Sequence, residues 1–550
     1  MRVLGVNTVF HDPAAALVVD GEVVAAAEEE RFNRRKHGKP NVPFAAWEMP
    51  VLSAAWCLRQ AGLRPQDVDA VACSFDPSLT LPPQDLGLDD PWDHLRVEFA
   101  RRTPGLLATA LPGLDPSVVR FVPHHVAHAA SAALAGPYRS CASLVLDGRG
   151  ERASHQSARY TDGRIEVLAA QRLPSSLGFL YEDLTEHLGF HRSSDEYKVM
   201  ALASYGTPRH LEQLTDLVRL TDDGGFTTAA VDWLSFAPRG TGELTQAHAD
   251  LAASVQRRLE QVVLGLATWL HDQTGERALT MAGGTALNCV ANSVLLREGP
   301  FDDVWVQPAA GDAGTALGAA LHVAAQDDRL GAPMRTAALG RGFDDDEIER
   351  TLKTARVPHE RPDDLAGTVA DDLAANRVVA WFQGRSEYGP RALGQRSLLA
   401  HPGRAENLEL LNDIKGREQF RPVAPLVLLE RADEIFDGKV PSPYMLFVHR
   451  VRPEWADRIA TVVHVDGTAR AQTVDRRDQP LLASLLDAFE ARTGLPVLVN
   501  TSLNTAGRPI VDSPQDALEL FGSAPVDVLV LGPFVVRRAD APALPPAASE

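Results

Sequence analysis

The apolar positions of "MRVLGVNTVFHDPAAALVVDGEVVAAAEEER" come in short runs broken by His11-Asp12-Pro13 and Asp20-Gly21. They predict strand, turn, strand, hairpin, strand, because Asp-Gly between two apolar runs is a strong hairpin signal. "CASLVLDGRGERASHQSARYTDGRIEVLAAQRL" repeats that order. Two such openings in one chain suggest a duplicated α/β domain with a ligand between its halves. "ADLAASVQRRLEQVVLGLATWLHDQTG" has helical periodicity and leads into "RALTMAGGTALNCVANSVLL", a strand broken by Gly283-Gly284 before a new helix. "VWVQPAAGDAGTALGAALHVAAQ" follows the same strand, Gly-rich turn, helix logic. The pattern changes near 335–350. Beyond it helices alternate with strands in "RVVAWFQG", "APLVLLE" and "LPVLVNTS", the pattern of a smaller α/β domain. A Pro/Ala-rich tail after about 538 reads as disordered.

At 550 residues the chain is too long for one core. Its formal net charge of -19 argues against nonspecific binding to nucleic acid or an anionic membrane. No run of 18 apolar residues is present, and the N-terminus lacks a basic stretch before an apolar one. Cys57, Cys73, Cys141 and Cys289 are scattered in apolar contexts, as reduced structural thiols are. A cytoplasmic protein is expected.

"FVPHHVAHAASAALAG" sets His124 and His128 four apart, on one helix face and within reach of one ion. The spacing also suits two buried, hydrogen-bonded histidines. Asp147 ends the strand "SLVLDGRG" and Asp312 stands in the turn "GDAG". With the histidines they would make a mixed N/O set suited to Fe, Mn or Zn. Alone, Asp147 also reads as a turn residue and Asp312 as an N-cap. The turns in "MAGGTALN" and "AAGDAGTALG" offer backbone N–H groups and a helix dipole to phosphate. The second region clusters Arg385, Arg391 and Arg396, then Lys415, Arg417 and Arg421, then Arg470, and finally Asn500, Ser502, Asn504 and Arg508 after a strand. In an acidic protein these read as an oxyanion pocket, or as a solvated face. His11, after the first strand, could take a proton from a hydroxyl.

"HDPAAALVVDGEVVAAAEEERFNRRKHG", "HHVAHAASA", "LGFLYEDLTEHLGF", "DEYKVMALASYG", "AGGTALNCVAN" and "GRSEYGPRALGQRS…KGREQFRPVAP…VNTSLNTAGRPIV" together resemble the NodU/CmcH/TobZ O-carbamoyltransferases, in order and over nearly the whole chain. The resemblance implies an actin-like ATPase (TsaD-like) domain over residues 1–345 and a YrdC-like twisted α/β domain over 346–550. It implies that carbamoyl phosphate and ATP give carbamoyl-adenylate in the second domain. A hydroxyl attacks that intermediate in the first, and an Fe(II) or other divalent ion holds nucleotide phosphate; Mg2+ is a further candidate. The metal ligands fall on His124, His128, Asp147 and Asp312, which leaves His125 to pack or hydrogen-bond. The base falls on His11. Lys36, Gly178, Lys198 and Gly283 fall on segments lining nucleotide. Arg391, Lys415, Arg421, Arg470, Asn500 and Ser502 fall on the carbamoyl-phosphate and adenylate pocket. "ALASYG" departs from the family's "GLAPYG", which changes local backbone freedom.

The implied acceptor is a small-molecule alcohol in antibiotic tailoring, with a homodimer a candidate assembly. The segment 207–250 is the least motif-like. Phe226, Trp233 and Phe236 there suit an apolar, glycosylated polyketide, whereas Asp222, Asp223 and Asp232 suit an aminoglycoside. The rival activity, tRNA threonylcarbamoylation, fits the -19 charge poorly.

Overall fold

The computed structural model describes residues 1–38, 48–90, 92–438 and 441–538. The first strands are β1 (Arg2–Asn7), β2 (Ala14–Val19), β3 (Glu22–Glu28), β4 (Ala70–Cys73) and β5 (Val119–Phe121). They form one sheet in the order β3-β2-β1-β4-β5. Asp20 and Gly21 both take positive φ, +50° and +90°, as the tight hairpin demands.

The chain then repeats itself. β6 (Ser140–Leu146), β7 (Ala153–Thr161) and β8 (Arg164–Arg172) form an antiparallel meander turned at Asp162-Gly163. A small hairpin follows, β9 (Val218–Leu220) and β10 (Phe226–Thr228), then β11 (Ala278–Ala282) and β12 (Asp303–Val306). The second sheet runs β12-β11-β6-β7-β8. In both sheets a first strand pairs antiparallel on one side with its hairpin and parallel on the other with later strands. This duplicated architecture is that of the actin-like ATPases.

Between the two sheets lie the helices His124–Ala133 and Ala313–Gln326, both rich in alanine. Glycine sets their spacing. A Cβ on Gly5 of β1 would sit 1.8 Å from the Ala316 carbonyl oxygen, and one on Gly318 would sit 1.8 Å from that of Ala127. The two helices therefore pack backbone to backbone, with one of them against β1.

The C-terminal region has its own core, from Ile348 to Val536. Its strands are β13 (Val379–Phe382), β14 (Arg396–Ala400), β15 (Ala424–Leu428), β16 (Phe436–Asp437), β17 (His449–Val451), β18 (Thr468–Ala469), β19 (Gln472–Val474), β20 (Val497–Ser502), β21 (Val528–Leu531) and β22 (Phe534–Arg537). Seven of them form a mixed sheet, β19-β15-β20-β14-β13-β21-β22, and β16-β17-β18 form a small second one. Helices such as Leu365–Ala374 and Pro480–Thr493 bury apolar stripes on it.

Polar contacts bind the two regions. Arg31 donates from its Nη2 to the Gly389 carbonyl (2.8 Å), and Gly389 N–H donates to Glu28 (2.7 Å). Arg34 reaches the carbonyls of Pro509 and Ile510. Lys198 pairs with Glu418 at 2.8 Å. All four cysteines are free and buried. The Pro/Ala-rich tail beyond 538 lies outside the described residues. Among the described residues no helix is long and apolar enough to cross a membrane.

Candidate functional site

His124 and His128 open the helix that follows β5, and Asp147 follows the last residue of β6. Asp312 is the N-cap of the facing helix, yet its side chain makes no capping bond. It turns to the histidines instead. His124 Nε2 lies 3.4 Å from Asp147 Oδ2 and 3.6 Å from Asp312 Oδ1, and His128 Nε2 lies 3.8 and 3.5 Å from the same atoms. All four ligand atoms lie within 4.8 Å of one another, and all four residues are buried. Neither Nε2 has a hydrogen-bond partner. A buried imidazole nitrogen facing two carboxylates without a bond is costly in a closed site, and an ion among the four removes that cost. The N/O donor set fits a divalent first-row metal. The outer shell fits as well: His124 Nδ1 meets the Ser74 carbonyl at 3.1 Å, which turns Nε2 toward the carboxylates. Burial alone would lower the proton affinity of His124, but Asp147 and Asp312 outweigh it and hold that affinity well above the usual range. The pocket is built for positive charge. His125, between the ligands, is pushed well below the usual range by burial and by His124 beside it.

Asp147 and Asp312 of the cluster line a cavity of 1210 Å³ that continues into the C-terminal region, with the two histidines behind them. Of the residues expected around the nucleotide, Lys36 and Gly178 line it. Gly178 admits no side chain, because a Cβ would lie 2.6 Å from the Gly148 Cα. Gly283 stands behind the wall. At φ +92° its Cβ would meet the Leu146 carbonyl oxygen at 2.1 Å, and the next residue's N–H donates to Asp147 Oδ1 at 3.0 Å. It shapes the turn and orients a candidate ligand. Lys198 is also off the wall, since Asp195 (3.0 Å) and Glu418 (2.8 Å) engage its ammonium. The helix Glu196–Ala203 ends inside "ALASYG": Ala201 lies in its last turn, and Ser204, where the family has Pro, is its C-cap in a right-handed helical conformation.

On the C-terminal side Arg391, Arg417, Arg421 and Arg470 line the cavity, with Asn500, Ser502 and His464. Burial and the nearby Arg470 push Arg391 down to about 9; burial with Arg421 and Arg470 does the same to Arg417. Beyond the Arg421–Glu418 pair at 3.5 Å, so much positive charge in one place suits an anion. The Nε atoms of Arg391 and Arg470 are buried without partners. Arg421 lies 4.5 Å over the Tyr197 ring, so a residue of the N-terminal region positions this guanidinium. Lys415 does not line the cavity. Its Nζ donates to Asn504 Oδ1 (2.7 Å), the Asn504 carbonyl (3.0 Å) and Ser502 Oγ (3.1 Å), and so holds the loop after β20 in place. Burial pushes this ammonium well below its usual range.

The chain matches the carbamoyltransferase N-terminus over residues 2–77 and 106–321, and the carbamoyltransferase C-terminus over 370–538. It belongs to the carbamoyltransferase family. The carbamoyltransferase is 38% identical to an uncharacterised protein of Synechocystis over 98% of this chain and 97% of that one. It is 39% identical to the nodulation protein NolNO of Sinorhizobium fredii over 97% of this chain and 80% of the relative. Among solved structures, T. kodakarensis HypF aligns with 60% of this chain and 48% of its own, at 14% identity and a TM-score of 0.33.

In this carbamoyltransferase His11 lines the cavity, and Asp12 bridges it to His37: His11 Nδ1 lies 2.9 Å from Asp12 Oδ2, and His37 Nδ1 2.8 Å from Oδ1. Burial would raise Asp12, but the two imidazoles hold its carboxyl well below the usual range. His11 Nε2 contacts the Ser193 carbonyl. The aromatics expected at the acceptor are elsewhere. Phe226 is buried, and Trp233 and Phe236 pack against the same core because each covers an apolar edge. Asp222 and Asp223 lie in the β9–β10 turn, and neither they nor Asp232 line the cavity. It is Thr228–Val231 that reach the cavity. No sequence signal singled out His464, one histidine in the turn "HVDGT", or Arg96 and Arg149, which stack 5.1 and 5.2 Å from the Phe10 ring.

Proposed function

We propose that this carbamoyltransferase is ATP-dependent and transfers the carbamoyl group to an alcohol, with residues 1–345 and 346–550 as its two domains. One observation carries the reading: a single cavity joins a buried His₂Asp₂ cluster to a wall of underneutralised arginines. At the arginines carbamoyl phosphate exchanges its phosphate for a water oxygen and becomes carbamate. A carbamate oxygen then bonds the α-phosphorus of ATP, and pyrophosphate leaves. Arg391, Arg417, Arg421 and Arg470 balance the phosphate charge as it moves. The mixed anhydride is destroyed by water, so a passage inside the protein is useful chemistry. At the far end the acceptor oxygen bonds the carbamoyl carbon, the bond to AMP breaks, and His11 takes the hydroxyl proton. For that, the Ser193 carbonyl must leave Nε2. A divalent ion held by His124, His128, Asp147 and Asp312, with Fe(II) our assignment, would neutralise nucleotide phosphate.

We assign acceptor selectivity to residues 78–105, which fall between the two matched stretches of the family yet bring Leu88, Asp89, Asp90 and Arg96 to the cavity. Phe10, Pro174, Phe179 and Val231 share that wall and favour an acceptor with apolar surface, such as a glycosylated polyketide. The -19 net charge speaks against tRNA. The test is incubation with ATP, carbamoyl phosphate and Fe(II). Release of phosphate and pyrophosphate, lost in Arg421→Ala, is expected. A folded, metal-loaded protein that releases neither, with or without a panel of alcohols, refutes the reading.

A further inference from the structure

Guanidinium groups only donate hydrogen bonds. They suit the phosphate and carbonyl oxygens of carbamoyl phosphate but offer nothing to its NH₂. Two residues that line the same cavity each carry a buried acceptor atom with no hydrogen-bond partner, His464 Nε2 and Asn500 Oδ1.

Each is fixed by its neighbours. Asn500 Nδ2 donates to the Ala392 carbonyl (3.1 Å) and to Gln472 Oε1 (2.7 Å), which leaves Oδ1 as the bare end of the amide. Gln472 is itself anchored, because its Nε2 donates to the Leu393 carbonyl at 2.9 Å. His464 sits at the start of a tight turn: its N–H donates to the Thr468 carbonyl (2.7 Å), and its own carbonyl accepts from Gly467 N–H (2.9 Å). Inside the turn the Thr468 hydroxyl gives its one proton to Asp466 Oδ1 at 2.7 Å. Thr468 Oγ1 must then accept from His464 Nδ1, 3.1 Å away. That chain settles the tautomer, with the proton on Nδ1 and a lone pair on Nε2. Burial above all, helped by the charge of Arg470, keeps the ring neutral and pushes it down to about 4 against the opposing pull of Asp466.

We propose that His464, held by Thr468 and Asp466, is a specificity-determining residue: with Asn500 it accepts the two N–H bonds of the carbamoyl group and so selects carbamoyl phosphate over acyl phosphates that lack them. This rests on the arginine cluster being the carbamoyl-phosphate site. A site built to receive N–H groups rejects an analogue without them, because its buried acceptors are left unpaired.

The test compares two stable probes that differ only as NH₂ and CH₃, phosphonoacetamide and acetonylphosphonate, by titration calorimetry on the full chain. Wild type is expected to prefer the amide by about tenfold or more, and His464→Ala to bring the two within about twofold. Thr468→Val should weaken the preference, since Nδ1 loses its acceptor, and Thr468→Ser should restore it. The KM for ATP in pyrophosphate release should be unchanged in all three. A wild-type preference that survives His464→Ala overturns the proposal, and so does a rise confined to the KM for ATP, which would place the acceptors on adenine. Binding of neither probe by wild type removes the arginine cluster as the carbamoyl-phosphate site, and the proposal with it. Binding of both equally leaves that site standing and refutes the selectivity alone.

Discussion

Gly318→Ala should weaken divalent-ion binding at the proposed His124, His128, Asp147 and Asp312 site without altering any of the four. The new Cβ would lie 1.8 Å from the Ala127 carbonyl oxygen, 2.6 Å from the Ser131 nitrogen and 2.8 Å from the Ala127 carbonyl carbon. All three are backbone atoms of the helix that carries His124 and His128, so no side chain can swing away. Ordinary contact begins near 3.4 Å, so the helices must separate locally by about 1.6 Å. Asp312 caps the displaced helix six residues earlier, about 9 Å along its axis. Metal bonds to N and O hold near 2.0–2.2 Å and tolerate roughly 0.2 Å of error. Even a quarter of the separation, passed along a rigid helix, exceeds that tolerance. We expect about 1–3 kcal/mol of overpacking and a loss of affinity of about 10–100-fold, the scale seen when support for a ligand is removed. Co(II) titration followed by visible absorption reads the second, and urea unfolding reads the first. Gly522→Ala is the control, since its Cβ meets nothing within 4 Å. Undiminished Co(II) affinity in a destabilised Gly318→Ala would refute the claim that this helix contact sets the ligand spacing.

His124→Ala and Asp312→Asn should each abolish tight Co(II) binding while the protein still releases pyrophosphate from ATP and carbamoyl phosphate, because the arginine wall is separate; loss of both together would mean that the two ends do not work independently. Burial, against the pull of Arg31, raises Glu28 from 4.5 to about 7, so the native state accommodates the protonated carboxyl better. Its contribution is full below 4.5 and lost as pH climbs through 7, up to about 3 kcal/mol. Glu28→Gln should flatten stability against pH in that window, and an unchanged slope in urea unfolding at pH 4.5, 6 and 7.5 would count against it. Lys198→Ala and Glu418→Ala should couple by about 0.5–1 kcal/mol in a double-mutant cycle, less in high salt, if their 2.8 Å pair joins the two regions in solution; strict additivity would deny it.

Much of the candidate metal cluster is legible in the chain itself. His-x-x-x-His on an amphipathic stretch, a strand ending in Asp147 and a turn holding Asp312 are local patterns, and the matching ordered motifs make them one candidate set. The two Asp-Gly hairpins announce the duplication for the same reason: turn chemistry and apolar alternation act over a few residues. Residue type is a poorer guide to position. Lys198 and Lys415 carry the right charge, but carboxylates engage one and the loop after β20 the other. Trp233 and Phe236 are aromatic in the least motif-like segment, yet the nearest apolar surface was the core.

The elements, their order, the acidic balance and the chemical kinds of residue available are all set along the chain, because periodicity, turn preference and charge are properties of sequence neighbours. Which of those residues face each other was settled by packing. The fold brought Asp312 to His128 across a glycine contact, left two acceptor lone pairs among arginines, and joined both ends in one cavity. Those facts depend on distances between residues as far apart as 124 and 312, and on what each buried polar atom lacks as a partner.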